Sequence, residues 1–275
     1  MAISRPRKQS SSTAAVRPAL ADRATFRQLI ERVLEEAKRA GATDAAAEVS
    51  ESQGLAVTVR KRSLETVEQT RDRSLDITVY VGQRRGSAST SDFSDQALRD
   101  TVQAAYHIAR HTAEDPAAGL PEADLLATEF PDLDLYHPWP LSPEEAAELA
   151  LQAEDAALST DKRITNSDGA SVSSYEGHFV MGNTRGFLGG YPYSRHSLSV
   201  SPIAGRGDNM QRDDWYTSDR NWRKLADPAQ VGRYAAERAL SRLSARRIPT
   251  GRYPVLFEAP LACGLLGSLT QALSG

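Results

Sequence analysis

The chain has 275 residues, enough for one large domain or two of ordinary size. Its 40% hydrophobic and 25% charged residues describe a folded globular protein rather than a disordered one. A net charge of −3 argues against a dedicated nucleic-acid binder, and a single cysteine, Cys263, excludes an intramolecular disulfide and any zinc site built on several thiolates.

Residues 1–21 are basic and Ser-rich, with no acid before Asp22. They lack the apolar core of a secretory signal and read as a disordered extension, with a transit peptide as the alternative. The chain has no run of 18 apolar residues, so no membrane-spanning helix is expected. With one cysteine and no secretory signal, a cytoplasmic location is the expectation.

From about Thr25 to Ala40, Phe26, Leu29, Ile30, Val33, Leu34 and Ala37 recur at helical spacing, and Gly41 is a natural stop. Strands follow. Leu55, Val57 and Val59 alternate, then Leu75, Ile77, Val79 and Val81, before a turn through Gly82 to Gly86 and a returning strand. Ser94 caps a second helix to about His111, with Leu98, Val102, Ala105 and Ala109 on one face. This is an α+β pattern, helices lying on one side of an antiparallel sheet, and it defines an N-terminal domain over 22–112.

Residues 113–141 hold five prolines and seven acids without one Lys or Arg, and read as an acidic surface linker. A strand-rich second domain is expected over 142–245. It opens on a helix capped by Ser142, with Pro143 and Glu145 at the capping-box positions. Three or four long strands follow between Arg163 and Thr217, then a helix from Asp227 to about Leu243. "RRIPTGRY" is a second linker. Residues 252–275 hold the strand "PVLFE" and a helix opening at Pro260; the chain carries no charge after Glu258, and five of the last fifteen residues are leucine.

Several residues invite a chemical reading. His107 and His111 stand four apart on a helix, as zinc-binding pairs do, but fall opposite its apolar stripe and read as solvated. His178 and His196 sit among strands as polar positions; "SRHS" is not a nucleophile elbow. Arg206-Gly207-Asp208 reads as a turn. Cys263, flanked by Ala262 and Gly264, reads as a buried packing residue. Tyr175, Phe179, Phe187, Tyr191, Tyr193, Trp215, Tyr216 and Trp222 are expected in the sheet core and on its exposed face, or along a groove that takes an extended peptide.

The segments "ITVYVGQRRGSASTSDFS", "DPAAGLPEADLLA", "DLDLYHPWPLSPEEA", "DKRITNSDGASVSS", "GNTRGFLGGYPYSRHSLS" and "RLSARRIPTGRYPVLFE" resemble, in that order, the PmbA (TldE) branch of the TldD/PmbA family, once labelled modulators of DNA gyrase. The resemblance runs from about residue 44 to the end. It implies a longer protein, of which residues 252–275 would open a C-terminal metalloprotease-like domain that is incomplete here. The five leucines of that helix would then be buried, at about 1.5–3 kcal/mol each. In TldD-type members the same helix carries H-E-x-x-x-H, whose histidines bind zinc and whose Glu is the general base. Counted without gaps from Pro254-Val255, those positions here are Gly267, Ser268 and Ala272, which supply neither ligand nor base. The resemblance thus implies no catalytic, cofactor or metal residue on this chain. Zinc is expected on a TldD-type partner subunit, and unfolded peptides are the expected substrate. The alternatives are a peptide-binding or regulatory protein unconnected with proteolysis and, against the missing ligands, a metalloprotease acting alone.

Overall fold

A computed structural model describes residue 20 and residues 22–274. The expectation for residues 1–21 lies, Leu20 apart, outside the described residues. Residues up to Leu243 form one unit and those from Ser244 a second.

The first unit is built on an eight-stranded antiparallel sheet. In chain order its elements are α1 (Arg23–Ala40), β1 (Asp44–Arg60), β2 (Ser63–Val81), β3 (Arg84–Thr90), α2 (Asp95–His111), α3 (Pro143–Thr160), β4 (Ile164–Asn183), β5 (Leu188–Gly189), β6 (Pro192–Ala204), β7 (Gln211–Arg212), β8 (Trp215–Asp219) and α4 (Pro228–Ser241). The strands lie side by side as β3-β2-β1-β4-β6-β7, with β5 added to β4 and β8 to β6. The segments 22–112 and 142–245 therefore meet in one sheet, through the β1–β4 ladder from Ala46↔Asn183 to Val59↔Ala170. Between Arg163 and Thr217 two strands are long and the others short.

Every second residue of β1, from Ala45 to Val59, is buried, so all of these face the same side of the sheet. Helices cover that side in two pairs. At one end α1 and α2 close over Ala45, Ala47, Val49, Leu75, Ile77 and Val79. At the other, α3 and α4 close over Leu55, Val57, Val59, Val172, Leu198 and Val200.

The caps explain where the helices start. Asp22, Ser94 and Asp227 each accept from the backbone N–H three residues on, and Ser142 and Glu145 form a reciprocal capping box. Gly41, in the left-handed region at φ 101°, ends α1. The second pair meets through small side chains, Ala146, Ala150, Ala153 and Ala157 against Val231, Ala235, Ala236 and Ala239. At Gly232 a Cβ would stand 2.2 Å from the Ala153 carbonyl oxygen, so only glycine permits this approach of α4 to α3.

The β1–β2 hairpin turns through Lys61 and Arg62, both left-handed at φ 52° and 61°. The Glu154 side chain of α3, fully buried, accepts from both backbone N–H groups at 2.9 and 2.7 Å. The first half of β2 projects beyond β3, its charged residues blunting a free edge.

The acidic linker is a strap over the sheet. Ser194 N donates to Leu135 O, His137 N donates to Ser194 Oγ, and His137 bridges to Asn221. In the second unit, α5 (Ala259–Ala272) forms as expected. "PVLFE" does not form a strand: residues 254–258 have no ladder partner among the described residues. Leu261, Leu265, Leu266, Leu269 and Leu273 are all more than half exposed, and Cys263 is exposed rather than buried.

Candidate functional site

The side of the sheet away from the helices carries small and phenolic side chains. By register it holds Glu48, Ser50, Ser52, Gly54, Ala56 and Thr58 of β1, Ser171, Ser173, Tyr175, Gly177, Phe179 and Met181 of β4, and Tyr193, Arg195, Ser197 and Ser199 of β6. Hydroxyls pair across the strands, Thr58 with Ser171 and Ser173 with Ser197, each at 2.8 Å. The rings of Tyr175 and Tyr193 lie 6.1 Å apart, and Phe179 meets Tyr191 edge-on at 4.7 Å. At Gly177 a Cβ would stand 2.7 Å from the Tyr193 ring, so the glycine lets that ring lie against the backbone.

Burial, a hydrogen bond with Tyr175 and nearby negative charge push the Tyr193 phenol up to about 12. Burial, and then Asp76 beside it, raise the Glu48 carboxyl above its ordinary range. At neutral pH Tyr193 therefore keeps its phenolic proton, beside the hydroxyls of this face. A phenol that holds its proton so firmly is a hydrogen-bonding wall rather than a base or nucleophile.

The helix-covered side has a polar band between its two cores. Gln53 Nε2 donates to Glu176 Oε1 at 2.6 Å, and Tyr136 of the strap donates to Glu176 Oε2 at 3.0 Å. Arg71 Nε donates to Glu51 Oε1 at 2.8 Å. His178 is buried and stacked on Phe26 at 4.6 Å, and His196 is fully buried. The two histidines are thus interior groups rather than ordinary strand positions. His196 Nε2 lies 2.9 Å from His137 O, a carbonyl that can only accept, so Nε2 carries a proton, and Nδ1 lies 3.1 Å from Ser174 Oγ. This Ser–His contact involves neither serine of "SRHS". Ser174 is as sealed as His196, which leaves the pair no access to a substrate.

The other candidates separate. His107 and His111 are exposed, and His111 Nδ1 sits 2.8 Å from the His107 carbonyl. Gly207–Asn209 is a single 3₁₀ turn, as the tripeptide reading expected. Of the eight aromatics, Tyr175, Phe179, Tyr191, Tyr193 and Tyr216 belong to the open side. Trp215 packs against Tyr234 of α4 at 4.6 Å, Phe187 against Phe130 of the strap at 5.8 Å, and Trp222 stacks on Trp139 at 5.5 Å. Among the described residues no three His, Cys, Asp or Glu side chains gather to hold a metal ion. Gly267 and Ala272 have no donor atom, and Ser268 Oγ donates to Gly264 O at 3.0 Å, so these positions of α5 do not fit a zinc ion.

The buried acids and Gln53 escape a reading based on apolar runs. A signal was present, because the inward phase of Leu55, Val57 and Val59 extends back through Gln53 and Glu51, where polar residues occupy core-facing positions.

Comparison with known proteins places these features. The model of the PmbA/TldA metallopeptidase domain 1 matches residues 45–109, and that of the PmbA/TldA metallopeptidase central domain matches residues 136–243. The chain belongs to the PmbA/TldD family. It is 49% identical over 227 residues to Metalloprotease PmbA of Escherichia coli O157:H7, covering 82% of this chain and 50% of that protein. It is 43% identical over 250 residues to a Metalloprotease PmbA homolog of Haemophilus influenzae, covering 91% and 55%. This chain thus spans about half the length of the curated relatives it matches. The fold is shared with a Bacteroides thetaiotaomicron protein described as a modulator of DNA gyrase, with TM-score 0.76 and 25% identity over 82% of this chain and 52% of that one. TldE from Thermococcus kodakarensis has the same fold, with TM-score 0.66 and 14% identity over 77% and 47%. In these PmbA/TldD-family terms, the uncovered sheet face is a surface of both matched domains, since β1 comes from the first and β4 and β6 from the second. No helix of the described residues is long and apolar enough to cross a membrane.

Proposed function

We propose that this chain is a non-catalytic subunit of a PmbA/TldD-type zinc peptidase in the cytoplasm, one that holds unfolded peptides while a TldD-type partner carries the zinc and cuts them. One observation supports this most directly: a long sheet face free of helices and lined by hydroxyls, glycine and tyrosines. Such a surface suits an extended chain, because phenols and hydroxyls contact peptide groups of any sequence and small side chains let a backbone come close. The α5 positions that would carry the zinc motif have no ligand, which supports assigning the hydrolytic step to another subunit.

The test mixes this chain, and one lengthened to the span of its relatives, with a TldD-type subunit and an unstructured peptide. Cleavage is expected only with the partner present. Tyr175→Ala and Tyr193→Ala should raise KM about tenfold with little change in kcat. Cleavage by either chain alone, or an unchanged KM in both variants, would overturn the proposal.

A further inference from the structure

The polar band between the two cores is unevenly charged at its α1 end. Glu51 of β1 and Glu176 of β4 are buried carboxylates. Arg71 of β2 donates to Glu51 Oε1 from Nε at 2.8 Å and from Nη2 at 2.6 Å. Glu176 accepts from Gln53 and Tyr136, which bring no charge. Two buried acids beside one arginine leave negative charge where water is excluded, and a buried charge without a counter-charge is costly.

His178 stands where that balance is decided. It is 6% exposed and directly opposite Glu51 in the β1–β4 ladder, a placement that brings Cβ atoms to about 4.5–5.5 Å. Glu176 lies two residues back on the same side of β4. Phe26 of α1 stacks on the imidazole at 4.6 Å with planes 4° apart, and a ring face attracts a cation. Asp22 caps α1; its carboxyl is held below the ordinary range by the bonds from Thr25 first and by His178 in small part. That acid also offsets the positive end of the helix, which would otherwise repel a cation. The remaining charged neighbours are engaged or turned away. Arg73, opposite Glu51 on β2, donates to Ser91 O and lies over the Phe93 ring. Arg23 and Arg27 of α1 are exposed. Pro192, the β6 partner of His178, is uncharged. His196 lies at the other end of the band, opposite Ser174 and Asp219, with Arg220 donating to Ser194 O nearby.

We propose that His178 is a buried imidazolium that fastens α1 to the sheet, and that loss of its proton frees the first turns of α1. Neutral His178 would leave Glu51 and Glu176 facing only one cation and would weaken the stack on Phe26, so α1 opens from its capped end. The sign follows from linkage. The charge stabilises the fold fully below the pH at which an unfolded histidine titrates, about 6.5, and that stabilisation is lost as pH rises through the higher value of the folded state. The latch uses neither the open sheet face nor a partner subunit, so it stands or falls apart from the peptide-holding reading.

Two measurements on the full chain test it. In carbon–proton NMR the His178 imidazole, identified by its contact with the Phe26 ring, should hold its proton at pH 7 and release it only above. Glu51→Gln should lower that midpoint by about one pH unit or more. In hydrogen exchange, the amides of Phe26 to Ile30 should exchange about tenfold faster at pH 9 than base catalysis accounts for. His178→Gln should show that faster exchange already at pH 7. A neutral His178 at pH 7, a midpoint unmoved by Glu51→Gln, or α1 exchange that follows base catalysis alone would overturn the inference. The wild-type titration decides the matter even where a variant fails to fold.

Discussion

The β1–β2 hairpin should depend on one buried carboxylate. Glu154 accepts from Lys61 N and Arg62 N, and both residues hold a left-handed backbone that costs a non-glycine residue about 1–2 kcal/mol. Glu154→Ala removes two charge-assisted bonds, each worth about 1.5–3 kcal/mol at full burial. The turn itself is exposed, so water re-solvates part of what is lost, and the expected cost is about 2–4 kcal/mol. For a chain of this size that is a Tm drop of about 5–12 °C. Urea unfolding should show a lower midpoint with an unchanged slope. The converse change, Lys61→Asn with Arg62→Gly, installs residues suited to positive φ and should recover about 1–2 kcal/mol, in the wild type and in Glu154→Ala alike. A cost under about 0.5 kcal/mol for Glu154→Ala, or destabilisation by the Asn-Gly turn, would refute the reasoning.

Tyr193 should ionise near 12 in a spectrophotometric titration, and Gly177→Val, by lifting the ring off the sheet, should lower that value toward the ordinary 10. Glu48, raised in the folded state, binds its proton more tightly there than in the unfolded chain. Its contribution is therefore full below the ordinary 4.5 and lost as pH rises through the folded value, so Glu48→Gln should be more stable than wild type at pH 7 and no different at pH 3 in urea unfolding. Gly232→Ala forces a Cβ onto the Ala153 carbonyl and should cost about 3 kcal/mol or more, read from the same denaturation curves.

Much of this architecture is legible in the residues. All six apolar residues of the first helical stripe are buried in α1, and the caps at Ser94, Ser142 and Asp227 stand where their side chains imply. The failures have physical causes. The first half of β2 is exposed on both faces and has no alternation to read. Its turn uses Lys-Arg instead of glycine because a distant glutamate holds it. "PVLFE" has strand composition, but composition supplies no partner. Cys263 has apolar neighbours along the chain, and burial is decided by neighbours in space. Which tyrosines share the open side follows from the register of β1, β4 and β6, and single strands do not specify their register.

Strand β1, which serves both cores, constrains how such a protein can be divided. The two matched domains meet the two cores out of step: Leu55, Val57 and Val59 fall within the first matched segment yet pack under α3 and α4. A crossover in the linker, the obvious place to exchange modules between relatives, would hand one parent's helices the other parent's strand. Recombinants of this kind inherit a mismatched floor for the second core, so the two halves are bound to change together, residue against residue, along one shared strand.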